Sequence, residues 1–589
     1  MRGHSTQAAF RRRLTRLLPG ALALLAFAVT LAGVEARYAT FHNRTFDLAF
    51  YARMAWGLAG NDWWDPLVGA HVLGLHVSPV LVPLGVLGRL IGDPVRVLMV
   101  AQSAALVGAG LCIARAGRRW LGPAGAVLGV LTVVLHPNAL HAATYEVHPG
   151  TLALLPMAYA LERLDAADLR GLLVGCLGML LCREDLALVT AALGVLAWPT
   201  SRRVAIGLVA SSGAYLALFL FVFFPEHAPE TGSFQLHFGK WGDSFGEVFA
   251  TWRADPGTLA AHLAQPGKLS FVPRAILPYA LLPLLAPRWW LPALPTLLIA
   301  QISDFPTTDD LDSHYLTPAL PALAMATLAG LHRLAGGRER PARLGLVAVS
   351  GTLGVAVAVV GPHPTQAAFH PDARQPAGRD VVARVRGADA AAGTEVGFQG
   401  PDALLPHLAA RRRLHRGPPP ERGDRFVAFD LTHRVRWAHD ETLLRTEEEE
   451  PLRAWLARPD HGVVLHQPPF LLLERGKDPR RGLGAAYFLP EPSVAARGTP
   501  GVALSACLRV ERAERTAAGV ALVLRAERGC PSDLALRLGP VPQPGSARAL
   551  RGPRRVDLLF DGVLSPAHLR PGDRVRSAQW SWPQKIRQL

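Results

Sequence analysis

Lysine is almost missing from this 589-residue chain: Lys240, Lys268, Lys477 and Lys585 are all it has. Arginine therefore carries nearly all the positive charge behind the formal +16, so the placement of that charge is more informative than its total. The chain also lacks a Walker-type phosphate loop, a dinucleotide-binding glycine motif and a zinc-protease motif, which leaves a soluble nucleotide cofactor unsupported. Cysteine is scarce, at five residues. Cys112, Cys176 and Cys182 fall in apolar runs and read as small packing residues. Cys507 and Cys530 sit at strand ends and could pair if they lie in an oxidising compartment.

What the chain has in quantity is apolar sequence. Half of its residues are hydrophobic, and long runs recur as far as Val360. A soluble domain would not tolerate this, so the first two thirds read as an integral membrane protein, and the basic residues between the runs read as topological rather than nucleic-acid-binding. Spans are expected near 18–36, 94–114, 121–136, 149–162, 169–182, 185–198, 204–224, 270–287, 289–303, 315–333 and 344–361, about eleven in all. The first is read as an uncleaved span, because many further spans follow it and no convincing cleavage site does.

Arginine clusters fix the expected sidedness. Arg11-Arg12-Arg13, Arg115 to Arg119, Arg163 to Arg170, Arg202-Arg203, Arg288 and Arg333 to Arg343 all fall on one, cytoplasmic, side if Val77 to Gly92 is not counted as a span. That stretch is short and contains Pro79 and Pro83, so it is assigned to the outer interface as a surface-lying helix. The transmembrane domain is then residues 1–361, with a large first external loop at 38–93. The N-terminus is expected in the cytoplasm and everything after Gly361 outside.

Beyond residue 361 the pattern changes. Short strand-like pieces at Thr394 to Phe398, Phe426 to Leu431 and Val463 to Leu473 alternate with helical stretches, which predicts an external α/β module over 362–494. From 495 to 589 the strand-like pieces Val502 to Leu504, Gly519 to Arg525 and Leu534 to Leu538 predict a β-sandwich-like module.

Four polar clusters fall at external ends of apolar runs under this topology. The first joins Phe46-Asp47 to His76-Val77-Ser78-Pro79, where a carboxylate is placed to take a proton from a hydroxyl or to hold a metal; the bland reading is a solvated loop. Asp62, Asp65 and His71, in the same loop, read as ordinary loop residues. The second is Glu146-Val147-His148-Pro149, in which the proline starts a helix and the histidine shapes the turn or meets a substrate. The third, Arg183-Glu184-Asp185, interrupts an apolar stretch in which each charge costs roughly 2.5–3.5 kcal/mol near a bilayer centre, so it is expected either to face a polar cavity or to sit at a short external hairpin. The fourth is Asp309-Asp310-Leu311-Asp312-Ser313-His314-Tyr315. Its spacing matches no calcium or zinc loop, so no metal ligand is assigned from it. The external segment Pro225 to Phe271, with His227, His237 and Lys240, is compatible with the wall of a cavity.

The strings Thr45-Phe46-Asp47-Leu48, Trp56 to Gly60, His76 to Pro79, Glu146 to Pro149, Arg183 to Leu186 and His314-Tyr315-Leu316-Thr317-Pro318 together resemble the domain of unknown function 2079 family of polytopic membrane proteins, over about residues 38–475. That family's architecture is similar to the GT-C glycosyltransferases, which take a sugar from a polyprenyl-phosphate carrier and use an acidic residue in the first external loop. The resemblance implies an α-helical polytopic GT-C-like fold and transfer of sugar to a cell-envelope acceptor at the external face of a bacterial inner membrane. It implies Asp47 as the catalytic general base that activates an acceptor hydroxyl and Val77 to Gly92 as the surface helix. His76, His148, Arg183, Glu184, Asp185, His314 and Tyr315 are then expected to bind substrate, with His76 orienting Asp47 or touching the sugar. Gly150 departs from the acidic residue that often follows His-Pro in the family. A divalent cation remains compatible with this reading. A transporter or lipid flippase, and a membrane anchor for the C-terminal modules, are the alternatives.

Overall fold

The computed structural model describes residues 2–43, 45–227, 233–336, 338–417, 423–430, 455, 458–467, 469–477, 508–516, 519–526 and 574–577. By internal packing the chain divides into two compact units, one of Met1–Asp372 with Leu405–Arg412, the other of Ala373–Leu404 with Arg413–Leu589.

The first unit is helical. It runs through α1 (Arg2–Ala39), α2 (Asp47–Leu58), α3 (Leu81–Ile91), α4 (Pro94–Val134), α5 (Pro137–Tyr145), α6 (Pro149–Leu152), α7 (Leu154–Asp165), α8 (Leu169–Leu180), α9 (Leu186–Ala197) and α10 (Arg202–Leu218). It continues through α11 (Phe224–His227), α12 (Ser233–Phe238), α13 (Phe245–Ala254), α14 (Pro256–Leu263), α15 (Pro266–Ile276), α16 (Leu294–Ile302), α17 (Leu320–Ala335) and α18 (Glu339–Val360). Four stretches among the described residues are long and apolar enough to cross a membrane: Arg16–Ala39, Pro94–Val134, Arg202–His227 and Arg343–Val360. The other apolar runs form shorter helices, such as the 12-residue α8 and α9. At 1.5 Å per residue each of these is about 18 Å long, short of a bilayer core.

The two helices expected at 94–114 and 121–136 are the two arms of α4, which is broken at Gly122 and folds back there. Gly122 takes φ +69, outside the helical range, and Pro123 follows it. Past this point the two arms touch: a Cβ on Gly129 would lie 2.7 Å from the Ala114 backbone, and one on Gly117 would lie 2.2 Å from the Gly125 carbonyl. Glycine is therefore required both for the turn and for the close approach of the arms. Arg119, just before the turn, reaches Glu162 at 2.5 Å and Asp165 at 2.7 Å on α7.

The stretch assigned to a surface-lying helix forms the 11-residue α3. Leu81, Gly85 and Gly88 are buried, while Val82, Val86, Leu87, Leu90 and Ile91 leave the opposite side apolar and exposed. Gly85 lets α3 lie directly on α2, since a Cβ there would sit 1.9 Å from the Ala55 carbonyl oxygen. Between α2 and α3 the loop forms a small antiparallel ribbon of β1 (Trp64–Asp65) and β2 (Ala70–His71).

The second unit begins with α19 (Arg374–Ala392) and builds a five-stranded sheet from β3 (Phe398–Gly400), β4 (Leu414–Arg416), β5 (Phe426–Asp430), β6 (His461–Gln467) and β7 (Phe470–Arg475) in the order β4-β3-β5-β7-β6. The β3 strand pairs in parallel with β4 and β5, and β7 is antiparallel to β5 and β6. Register places Phe398 beside both Leu414 and Phe426, all fully buried, so these side chains form the apolar centre of one face.

Two sequence expectations shift here. The strand expected at Thr394 to Phe398 lies instead at β3, because Gly393 ends α19 at φ +63 and the chain needs the next residues to reach the sheet. Val463 to Leu473 is not one strand but the hairpin of β6 and β7. A separate antiparallel sheet has the order β10-β9-β8, formed by β8 (Leu508–Thr516), β9 (Gly519–Ala526) and β10 (Arg574–Ser577). Val502 to Leu504, Leu534 to Leu538, Cys507 and Cys530 lie outside the described residues.

Candidate active site

The site is assembled at the first residues of α2. Phe46, before the helix, supplies no side-chain cap. The N–H groups at a helix start need acceptors, and here Glu146 provides them: Oε1 accepts from the Thr45 N–H at 3.0 Å and Oε2 from the Leu48 N–H at 2.8 Å. A carboxylate at this end also complements the helix dipole. Burial, and then the neighbouring Asp47 carboxylate, push the Glu146 carboxyl above the usual range.

Asp47 opens α2 beside this cap. Its Oδ2 accepts from the Thr45 hydroxyl at 2.9 Å and lies 3.3 Å from His148 Nε2. Neither ring nitrogen of His148 makes a hydrogen bond, so the approach to Asp47 is an electrostatic contact. The His148 ring stacks on His314 with centroids 3.5 Å apart and 15° between planes, and it meets Tyr51 edge-on at 5.8 Å. Tyr315 follows, 4.2 Å from His314 and 5.4 Å edge-on from His237. His237 is fixed by Ser303 Oγ, 2.8 Å from its Nδ1.

A second buried glutamate binds the first loop ahead of α3. Glu184 Oε1 lies 2.9 Å from His76 Nδ1, and Oε2 accepts from the Val77 N–H at 2.9 Å. The adjacent Arg183 donates from Nε and Nη2 to the two Asp185 oxygens, both at 2.5 Å. This fork is the geometry in which a guanidinium binds a carboxylate best. Nη1 of Arg183 lies against Gly150, where a Cβ would come within 3.4 Å of it.

These groups converge. Asp47, Arg183, Glu184 and Tyr315 all act electrostatically on Tyr51, whose phenol burial and the nearby carboxylates push well above 10. Burial, then His148, Arg183 and His237, hold His314 far below 6.5. Burial, then Arg183 and His76, hold His237 at about 4. All eight side chains singled out in the sequence, Asp47, His76, His148, Arg183, Glu184, Asp185, His314 and Tyr315, thus fall in one neighbourhood. One relation differs from expectation: the imidazole beside Asp47 is His148, because His76 is bound to Glu184.

A family whose description reads "Predicted membrane protein (DUF2079)" matches residues 37–391. The chain belongs to this DUF2079 family. No curated protein matches it. Among solved structures, ArnT from Cupriavidus metallidurans bound to undecaprenyl phosphate is similar at 13% identity and a TM-score of 0.43, over 78% of this chain and 97% of that one. The apo state of the same ArnT is similar at a TM-score of 0.42, and the apo oligosaccharyltransferase of Archaeoglobus fulgidus at 11% identity and 0.35, over 67% of this chain and 64% of that one.

Two further residues of this DUF2079 protein belong to the site and were not singled out in the sequence. Tyr51 follows Asp47 by four residues on the same helix face, a spacing that could have identified it. Gln102 is a fully buried amide inside the apolar α4, and polar residues in such runs are seldom incidental. His237, noted only as compatible with a cavity wall, is brought in by its contact with Tyr315.

Other conspicuous residues lie apart. Asp309 faces Lys268 at 3.9 Å, and Arg274 donates to the Asp309 carbonyl at 2.8 Å. Asn138 donates to the carbonyls of Leu311 and Ser313 and thereby fixes the approach to His314. Among the described residues no group of three His, Cys, Asp or Glu side chains is arranged to hold a metal ion.

Asp62 pairs with the buried Arg53 at 2.6 Å, and His71 packs against Trp63 and His227. Asp65 is not an ordinary loop residue. It is fully buried, its Oδ1 accepts from the Leu67 N–H at 2.9 Å, and its Oδ2 has no partner. Burial raises its carboxyl to about 6 in spite of Arg53.

Proposed function

We propose that this protein is a GT-C-like membrane glycosyltransferase that moves a sugar from a polyprenyl-phosphate donor to an acceptor hydroxyl at the external face of the inner membrane. The observation that carries the reading is the position of Asp47, at a capped helix start beside His148, in the same neighbourhood as Arg183 and the His76–Glu184 pair. Asp47 accepts the proton of the acceptor hydroxyl as its oxygen attacks the anomeric carbon. The bond from that carbon to the phosphate oxygen breaks, and the polyprenyl phosphate leaves with the electron pair, so the configuration inverts. The charge that develops on the leaving phosphate is stabilised by the Arg183 guanidinium. His148 steadies Asp47, while His314, Tyr51 and Tyr315 offer ring faces and hydroxyls to the sugar.

Membranes carrying the protein, supplied with a panel of radiolabelled polyprenyl-phosphate sugars, transfer label to an envelope fraction, and Asp47→Asn stops the transfer. Equal transfer by that variant removes Asp47 from the mechanism. Transfer from none of the donors removes the glycosyltransferase reading itself.

A further inference from the structure

Glu146 and His148 flank Asp47, yet the segment that carries them belongs to no sheet. It nevertheless runs extended, with Glu146 at φ −142, ψ 171 and His148 at φ −136, ψ 139. Gln102 on α4 takes the place of a neighbouring strand. Its Nε2 donates to the carbonyls of Ala142 at 3.1 Å and Glu146 at 2.9 Å, and its Oε1 accepts from the His148 N–H at 3.1 Å. A primary amide presents two donors and an acceptor side by side, a combination that neither a carboxylate nor a hydroxyl offers.

In extended chain, residues two apart project to the same side. Glu146 and His148 therefore both point at the start of α2, while Val147 between them is buried. Glu146 receives the Thr45 and Leu48 N–H groups, and His148 comes within 3.3 Å of the Asp47 carboxylate. The place of Asp47 is thus determined from both sides by two residues whose spacing one buried amide holds.

We infer that Gln102 is the positioning residue of this site, fixing Glu146 and His148 so that Asp47 is held between them in the orientation the attack requires. The inference rests on the reading of Asp47 as the proton acceptor. Gln102 touches none of the reacting atoms. It acts through the backbone of residues 146–148, so its removal is expected to disturb turnover far more than donor binding, which Arg183 supports from the connection between α8 and α9.

The test uses full-length protein purified in detergent and two variants of similar volume. Gln102→Met keeps the bulk and removes all three hydrogen bonds. Gln102→Glu keeps an acceptor and, when protonated, one donor. A shift of about 1 Å at a reacting group costs on the order of 100-fold in rate. Gln102→Met is therefore expected to lower kcat about 100-fold, with KM for the polyprenyl-phosphate sugar within about twofold. Gln102→Glu should fall between it and the wild type, and the acid limb of the kcat profile should move in Gln102→Met.

A readout independent of activity is carbodiimide-driven amidation of Glu146, quantified by peptide mass spectrometry. Loss of the Gln102 bonds should raise it several-fold. Unchanged kcat, or a lowered kcat with an unmoved acid limb and unchanged Glu146 labelling, overturns the inference. If the wild type transfers no sugar, the functional reading fails and the labelling alone decides whether Gln102 holds the segment. If Gln102→Met does not elute as a single folded species, Gln102→Glu decides by the same measures.

Discussion

Asp65 gives the most direct quantitative prediction. It is fully buried in the first external loop, with one oxygen bonded to the Leu67 N–H and the other unpartnered, and burial raises its carboxyl from an ordinary 3.8 to about 6. The folded state therefore holds the Asp65 proton more tightly than the unfolded chain. Between these two values the folded protein binds more protons than the unfolded one, so stability falls as pH rises, and above about 6 the whole penalty is present. At 1.36 kcal/mol per pH unit the penalty is about 3 kcal/mol.

Asp65→Asn keeps an acceptor for Leu67 and removes the ionisation, and the lost attraction to Arg53 is already counted in the net value. In detergent at pH 7.5 the variant should melt roughly 4 °C above the wild type for a unit of this size. The gap should shrink as pH falls from 6 and close below about 3.8, where the wild-type carboxyl is protonated in both states. Lower melting of Asp65→Asn at pH 7.5 would show that the Arg53 attraction outweighs burial and would refute the reasoning. A gap independent of pH would refute it too, by placing the effect in packing.

Glu184→Gln replaces one of the two oxygens that hold the Val77 N–H and the His76 ring with an NH2 group and removes the charge. It is expected to cost about 1–3 kcal/mol in thermal unfolding and to loosen His76, seen as faster proteolysis of the first loop. Gly85→Ala drives a methyl group into the Ala55 carbonyl, a backbone atom that cannot rotate away, so α3 must separate from α2; a loss of about 1–3 kcal/mol and a lower yield of folded protein in membranes should follow. His148→Phe preserves a ring against His314 but removes the nitrogen beside Asp47, so sugar transfer should drop at least 10-fold while melting stays near that of the wild type.

Much of the candidate site was legible as positions along the chain. Charged and histidine-bearing clusters stand out wherever they interrupt apolar runs, because a bilayer penalises each of them unless a polar surrounding repays the cost. Asp47, Arg183, Glu184 and His314 were visible for that reason. Gln102 and Tyr51 were not, because an uncharged amide or phenol inside an apolar or aromatic stretch interrupts it only weakly. Asp65 was misread in the opposite sense: loop sequence around it suggested solvent, whereas the ribbon of β1 and β2 folds it inward against Arg53. The strand expected at residue 394 starts only at Phe398 because Gly393 ends α19 and pairing with β4 and β5 begins there, and 463–473 divides because its two halves pair with each other as a hairpin.

Sequence alone determined the membrane character, the arginine-rich connections, the short apolar helix α3 and the polar clusters that interrupt the apolar runs. These follow from local hydropathy and charge, which the solvent reads segment by segment. Only the tertiary structure decided which of those residues meet. It assigned His76 to Glu184 and His148 to Asp47, and it made Glu146 the cap of α2. Each of these depends on a contact between segments about a hundred residues apart, which local hydropathy and charge do not specify.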